Sequence, residues 1–223
     1  GTQVDFDRST TTAMDWTYWD TLNKTAFAEL NWFINDNLQY TSKLNHIRYE
    51  DHSALFYTYS NTGLEADTGL GMLGYPGRFD AEDKTLIWDN NLQGVFQAWG
   101  REHTFNVGIS LADAETSDLD AGALSGFDDM PALPGWTGTE VALPEWAAPY
   151  QAGYTDISLN RFYGSIQLAV TDALDLVLGV SFVDYENEGE SWGASTSTTE
   201  DGSSPYIGFT WEVLEGLNVY GSY

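Results

Sequence analysis

The sequence contains no cysteine and few basic residues, with eight Lys and Arg against 34 Asp and Glu and a formal net charge of −26. The absence of cysteine excludes a disulfide framework, a thiolate metal site and a cysteine nucleophile. A surface this acidic repels phosphate backbones, so the composition argues against nucleic-acid binding. No apolar run approaches the roughly 18 residues of a membrane-spanning helix, but the alternating strands of a membrane barrel give a much weaker hydropathy signal.

Motifs of catalysis and metal binding are also missing from the sequence. There is no Gly-x-Ser-x-Gly, no His-Glu-x-x-His and no phosphate-binding loop. His46 and His52 are six residues apart on a predicted strand, which separates them by about 20 Å. We therefore predict a protein that is not an enzyme, with no metal site and no cofactor. The chain begins without Met and without a signal peptide, which indicates a mature form or a segment of a longer protein.

Aromatic residues are abundant, at 15 % of the chain, and this argues against disorder. The dominant local pattern is alternation of apolar and polar residues in paired segments joined by tight polar turns. In the first pair, apolar residues at every second position precede the turn Asn35-Asp36-Asn37 and follow it again from Leu38. The pattern returns at 85–111, 161–182 and 207–223, which predicts eight strands in four hairpins.

The connections between these strands alternate in length. Short turns lie near positions 36, 101, 172 and 215, and the predicted long loops cover residues 61–84, 112–157 and 188–203. Short turns at one rim and long loops at the other are typical of an outer-membrane β-barrel. We therefore predict an all-β, antiparallel up-and-down meander. Alternation by itself also fits a soluble sheet with one wet face.

Acidic residues concentrate in the predicted long loops, above all in Asp113, Glu115, Asp118 and Asp120. Clustered carboxylates suit Ca²⁺, but this segment lacks the Gly and Glu spacing of an EF-hand. We therefore favour a solvated acidic loop over a calcium site.

Four stretches of the chain carry a resemblance to a known family. One is an early strand, Asn23 to Leu30, and another is a Gly100-Arg101-x-His103 turn flanked by Asp89, Gly94 and Gly108. The third runs from Tyr163-Gly164-Ser165 to Thr171-Asp172, and the fourth includes Ser204-Pro205-Tyr206 and ends in Tyr220-Gly221-Ser222-Tyr223. In this order and spacing they resemble the TonB-dependent ferric-siderophore receptors, most of all those for hydroxamate, coprogen or pyoverdine siderophores.

The resemblance implies a barrel of about 22 strands closed by an N-terminal plug, of which residues 1–223 form about a third as a single partial segment without the plug. It implies a location in the outer membrane of Gram-negative bacteria, in contact with outer-membrane lipid. It also implies uptake of a ferric siderophore, energised by TonB through parts absent from this chain. The ligand is then the ferric siderophore, with no further cofactor.

In the family, ferric siderophores bind in an extracellular pocket of Trp, Tyr and Arg side chains. The resemblance therefore suggests eight candidate ligand contacts in this chain. They are Trp16, Tyr18, Trp19, Tyr57, Tyr59, Trp136, Trp146 and Trp192. Flat rings suit a ligand with chelating groups arranged around iron. The same residues are equally suited to forming interface girdles or packing the long loops.

Two other interpretations remain open from the residues. One is a complete eight-stranded outer-membrane barrel with a structural or adhesion role, and the other is a secreted acidic β-sheet protein that binds carbohydrate. The receptor interpretation predicts pairing of sequence neighbours only, with unpaired edges near Thr25 and Val219. It also predicts a set of lipid-facing residues on one side of the sheet. They are Leu86, Phe96, Phe105, Val107, Ile109, Phe162, Ile166, Leu168, Leu178, Val180 and Phe209.

Overall fold

The structure is a computed structural model that describes residues 6–127 and 130–223. In this part of the chain there are nine strands and one short 3₁₀ helix, Leu133–Gly135. The strands are β1 (Tyr18–Asn35), β2 (Leu38–Tyr59), β3 (Leu73–Ala98), β4 (Arg101–Gly122), β5 (Tyr150–Ala169), β6 (Leu174–Ser191), β7 (Ala194–Ser195), β8 (Thr198–Leu214) and β9 (Leu217–Ser222). Over the same residues, no helix has both the length and the apolar character needed to span a membrane.

The strands form one sheet in the order β1-β2-β3-β4-β5-β6-β8-β9, and the two-residue β7 pairs with β6 beside this path. Each long strand therefore lies next to its neighbour in sequence, which confirms the predicted meander. β1 and β9 are the edges of the described sheet, as expected from Thr25 and Val219. Among the described residues there is no second sheet, so the sandwich expected for a carbohydrate-binding protein is wrong.

The strands are longer than the sequence pattern predicts at the ends that carry the long connections. The predicted loops 61–84, 112–157 and 188–203 shrink to 60–72, 123–149 and the short segments around β7. Backbone pairing continues where both faces carry polar residues, as in the successive pairs Glu186↔Thr199 and Asn187↔Thr198, which lie on opposite faces. The prediction of these loop bounds was wrong because polar residues on both faces erase the alternation that marks a strand.

The acidic segment from Asp113 to Asp120 lies within β4 and is not a loop. Because side chains of a strand alternate between its faces, Asp113 and Glu115 share one face, whereas Asp118 and Asp120 share the other. Strand geometry therefore divides the four carboxylates into two pairs. Over residues 6–127 and 130–223 no group of three or more His, Asp or Glu residues could hold a metal ion.

The chain divides into two compact units. The first comprises Gly1–Asn23, Tyr49–Asp83 and Thr116–Tyr154, and the second comprises Lys24–Arg48, Lys84–Glu115 and Thr155–Tyr223. All four short turns and all eleven predicted lipid-facing residues belong to the second unit. The connections 60–72 and 123–149 belong to the first.

One face of the second unit is apolar and uncovered. None of the eleven predicted lipid-facing residues is buried, and Leu86 and Phe162 are exposed at 41 % and 51 %. Cross-strand partners share this face, as in the pair Leu178↔Ile207, and Phe162 stacks on Phe182 with ring centroids 6.5 Å apart. An apolar face this extensive is unfavourable in water and typical of strands that face lipid.

The opposite face of the second unit is polar and hydrogen-bonded. The Asn91 Nδ2 group donates to Asn106 Oδ1 at 2.7 Å and to the Tyr163 hydroxyl at 3.1 Å, so it connects β3, β4 and β5. Gln93 Nε2 donates to Gln39 Oε1 at 2.9 Å in the same way between β3 and β2. A polar inner face is what a water-filled or protein-filled barrel lumen requires.

The Gly100-Arg101-x-His103 motif connects neighbouring turns. Gly100 has a φ of +73°, which closes the β3–β4 turn, and the Arg101 guanidinium pairs with Asp172 in the β5–β6 turn. The Ala169 N–H donates to His103 Nδ1 at 3.1 Å, so the other ring nitrogen carries the proton and donates to the Ala98 carbonyl at 3.0 Å. His103 is 2 % exposed, and these two hydrogen bonds link β3, β4 and β5 through its ring.

Gly108 provides the space that the Tyr163 ring occupies. A Cβ placed on Gly108 would lie 2.4 Å from Tyr163 Cζ and Oη and 2.7 Å from the Asn90 carbonyl oxygen. The backbone at Asn90 cannot move away without breaking the pairing of β3 with β4. The Tyr163 ring therefore packs directly against Gly108, and the two residues depend on each other.

We expect Gly108→Ala to lower the free energy of unfolding by about 1–3 kcal/mol, because overpacking forces the Tyr163 ring and the backbone apart. Urea unfolding of the lipid-reconstituted protein, followed by tryptophan fluorescence, measures this. Gly122→Ala is the matched control on the same strand, since a Cβ there meets no atom within 4 Å. In a Tyr163→Ala background the Gly108 substitution should cost much less, and an unchanged cost would contradict the packing argument.

Candidate ligand-binding site

Seven of the eight predicted ligand contacts lie in the first unit, and the eighth, Trp192, lies in the second. The structure separates the seven into residues that pack the loops, residues in an exposed row of rings, and residues on β1. The division follows how deeply each ring is buried and which groups it contacts.

Three of the predicted tryptophans belong to a packed group, which we call the tryptophan cluster. It consists of Met14, Trp16, Phe56, Met130, Trp136 and Trp146. The Trp16 ring centroid is 6.1 Å from those of both Phe56 and Trp146, and the Trp136 centroid is 6.3 Å from that of Phe56. Met14, Phe56 and Met130 are buried, so the cluster is a small core that joins the 123–149 connection to β2.

The indole nitrogens of this cluster are used within the fold. Trp16 Nε1 donates to the Val141 carbonyl at 2.9 Å, and Trp136 Nε1 donates to the Pro131 carbonyl at 2.8 Å. An indole has one N–H, so an indole that already donates to the backbone has none left for a ligand. These contacts stabilise the segment 131–141 of this connection.

A carboxylate fixes the tip of this connection. Glu140 Oε2 accepts from the Gly138 N–H at 2.9 Å, and its Oε1 accepts from the Thr137 hydroxyl at 2.9 Å and from the Thr137 N–H. Burial by itself raises the pKa of the Glu140 carboxyl, but together these hydrogen bonds outweigh it and leave the pKa below its ordinary value. The ionised form therefore stabilises the turn.

An exposed row of rings, which we call the tyrosine strip, crosses the first unit. It consists of Tyr57, Tyr59, Tyr75, Phe79, Phe127 and Tyr150. Ring centroids are 6.3 Å apart for Tyr57 and Phe79, 6.0 Å for Tyr59 and Tyr75, and 5.6 Å for Tyr75 and Phe127. Five of the six residues are exposed, with Tyr75 at 51 %, so the strip is a surface and not a core.

Four members of the strip were not among the predicted contacts. Gly74, Pro76 and Gly77 interrupt the sequence around Tyr75 and Phe79, which hides the alternation there. Gly77 is required at its position, because a Cβ would lie 2.6 Å from Cζ of the Phe79 ring that covers it. The signal that could have found this segment is the Tyr-x-Gly-x-Phe spacing, which puts all three residues on one face of a strand.

Buried carboxylates accept hydrogen bonds from the aromatic side chains of the first unit. The Tyr150 hydroxyl donates to Asp120 Oδ2 at 3.0 Å, and Asp120 is 9 % exposed. Burial, this hydrogen bond and the charge of Asp120, with a smaller effect of Tyr75, raise the pKa of Tyr150. Asp51, also buried, accepts from Trp19 Nε1 and from the Tyr49 hydroxyl.

The remaining predicted contacts are exposed. Tyr18 and Trp19 begin the edge strand β1, and Trp192 lies in the connection after β6 with a φ of +51° and 63 % of its surface exposed. Their positions leave their rings accessible.

The second unit contains a cavity of about 430 Å³ close to the short turns. Its lining is mainly polar and includes Asn35, Gln39, Gln93, Thr104 and Gln167. These side chains offer amide and hydroxyl groups, and Asp36 adds a carboxylate to the lining.

The family model described as TonB dependent receptor-like, beta-barrel matches residues 1–223. The chain is 27 % identical to the ferripyoverdine receptor of Pseudomonas aeruginosa and 23 % identical to the ferric-pyoverdine BN7/BN8 receptor of Pseudomonas putida. All of the chain is matched in both cases, with 27 % and 28 % of the relatives covered. The chain therefore spans little more than a quarter of the length of the curated relatives that it matches.

Solved structures give the same fold. The crystal structure of the ferripyoverdine receptor of the Pseudomonas aeruginosa outer membrane, bound to ferripyoverdine, matches all of the chain with a TM-score of 0.85 at 25 % identity, over 29 % of its own length. The siderophore receptor PiuA from Acinetobacter baumannii matches 93 % of the chain with a TM-score of 0.75 at 17 % identity, over 32 % of its own length. The second likeness is one of fold alone.

The Glu140 turn should open in acid. Because its pKa is lowered in the folded state, Glu140 stabilises the turn above the ordinary glutamate value of 4.5, and this contribution is lost as the pH falls through the folded pKa. Hydrogen exchange at the Thr137 and Gly138 amides, corrected for the intrinsic rate, should accelerate below that pH. Glu140→Gln should give fast exchange already at pH 7, and the exposed Glu145→Gln should not. Equal exchange in both variants would contradict the assignment.

Proposed function

Because this chain belongs to the family of TonB dependent receptor-like β-barrels, we propose that it forms part of the wall and mouth of an outer-membrane receptor that imports a ferric siderophore. The family is one of receptors, and the proposed activity is binding and transport without catalysis or a resident cofactor. The proposed ligand is a ferripyoverdine. TonB supplies the energy through parts of the receptor other than this chain, and the wall contacts outer-membrane lipid.

The observation that carries this proposal is the two-faced sheet of the second unit. One face is apolar and uncovered around Leu86, Phe162 and Leu178, and the other is a hydrogen-bonded network around Asn91. Lipid on the first side and a polar lumen on the second satisfy both faces. The neighbouring strands also satisfy the backbone groups, which lipid cannot do.

Ligand capture is assigned to the first unit. The tyrosine strip presents exposed ring faces and phenol hydroxyls, which suit the flat chelating groups of a siderophore. Tyr57 and Tyr59 are proposed as ligand contacts within this strip, and the exposed Tyr18, Trp19 and Trp192 are proposed as further contacts.

The tryptophan cluster supports capture in a different way. Trp16, Trp136 and Trp146 contact one another or Phe56, and two of their indoles donate to loop carbonyls. We assign them a positioning role, in which they hold the 123–149 connection so that Phe127 and Tyr150 at its two ends keep their places in the strip. A preformed surface of this kind lowers the entropy cost of binding.

Uptake of ⁵⁵Fe-labelled ferripyoverdine tests the proposal. Cells that lack their own pyoverdine receptor should take up iron when they express the whole receptor that carries this chain, and deletion of TonB should abolish uptake. Tyr59→Ala with Tyr75→Ala should weaken binding about tenfold or more, because buried aromatic contacts dominate such sites. Tyr206→Ala, a similarly exposed tyrosine of the second unit, is the control. TonB-independent uptake, or none at all, would refute the proposal.

A further inference from the structure

The first unit is strongly negative around its exposed rings. Its segments contain 17 Asp and Glu residues and no Lys, and their two basic residues are Arg8 and Arg78. The Arg78 guanidinium lies 3.8 Å from Asp80, so its charge is already offset by a carboxylate. These segments therefore contribute a negative potential at this surface, which favours the approach of cations over anions.

The tyrosine strip has the chemistry that binds a cation. The face of an aromatic ring attracts an ammonium or guanidinium group placed over it, and several neighbouring rings reinforce this attraction. The Tyr75 ring contacts those of both Tyr59 and Phe127, and all three residues are exposed. At the Tyr150 end, Asp120 supplies a carboxylate that is held in place by the Tyr150 hydroxyl.

We infer that the tyrosine strip and Asp120 bind a cationic group of the siderophore, an ammonium or guanidinium on its periphery, and so select positively charged ferric siderophores. This inference rests on the proposed function and specifies the charge of the ligand at the same site. An anionic siderophore would approach against the potential of the first unit and would find no offsetting cation in the strip itself. The ring faces attract the cation, and the carboxylate adds a second attraction that a neutral ligand does not have.

Two matched probes isolate the charge. One is a ferripyoverdine whose peptide has a single free lysine amine, and the other is the same molecule acetylated at that amine. Acetylation removes the charge and leaves the iron centre unchanged. Binding of both to the whole receptor in outer-membrane vesicles is measured with ⁵⁵Fe. We expect the wild-type receptor to bind the free-amine form about tenfold more tightly, a typical contribution of a desolvated cation–π contact.

Three variants test which residues cause the preference for the free-amine probe. Asp120→Asn keeps the shape of the side chain without its charge, and Tyr75→Leu keeps an apolar side chain without a ring face. Both should reduce the preference to about onefold by weakening binding of the free-amine probe alone. Asp67→Asn removes the same charge from the exposed connection 60–72 of the first unit and should leave the preference unchanged. Receptor levels in the outer membrane and heat-modifiable migration on gels check that each variant folds.

The outcomes separate the two proposals. Equal binding of both probes by the wild-type receptor overturns the charge inference and leaves the proposed function intact. Binding of neither probe overturns the proposed function. A loss of preference in Asp67→Asn equal to that in Asp120→Asn assigns selectivity to the general field and overturns the role of the strip.

Discussion

Continuous backbone hydrogen bonding between neighbouring strands is the constraint on which the rest of this structure depends. The pairing of β6 with β8 runs without a break from Leu174↔Trp211 to Asn187↔Thr198, through apolar and acidic stretches alike. Because pairing fixes the register, every side chain is assigned to one of two faces. In the second unit this assignment separates an apolar face from a polar one, and in the first it aligns the rings of the tyrosine strip.

Glycines in the sheet leave space for large aromatic rings. Gly108 makes room for Tyr163 and Gly77 for Phe79, and in each case a Cβ would overlap the ring. A ring that lies flat over a glycine covers backbone and stays in a defined orientation. The same device therefore serves a structural network on the polar face and an exposed surface in the first unit.

Aromatic residues have two different roles in the first unit. Trp16 and Trp136 use their indole nitrogens to hold loop carbonyls, whereas Tyr59 and Tyr75 keep their rings exposed. The division makes physical sense for a receptor, because a binding surface that includes Phe127 from a long connection needs a small core that fixes this connection.

The sequence by itself determined the meander, the short turns and the apolar face, because alternation and turn residues are local signals. The Arg101 and His103 motif was also visible there, although its partners Asp172 and Ala169 were not. The ends of the strands could not be predicted, because polar residues occupy both faces of the strands there. Only the tertiary structure decided which aromatics pack and which stay exposed. The tyrosine strip joins β2, β3 and the two ends of the 123–149 connection, and contacts between residues so far apart in sequence arise from the pairing of whole strands.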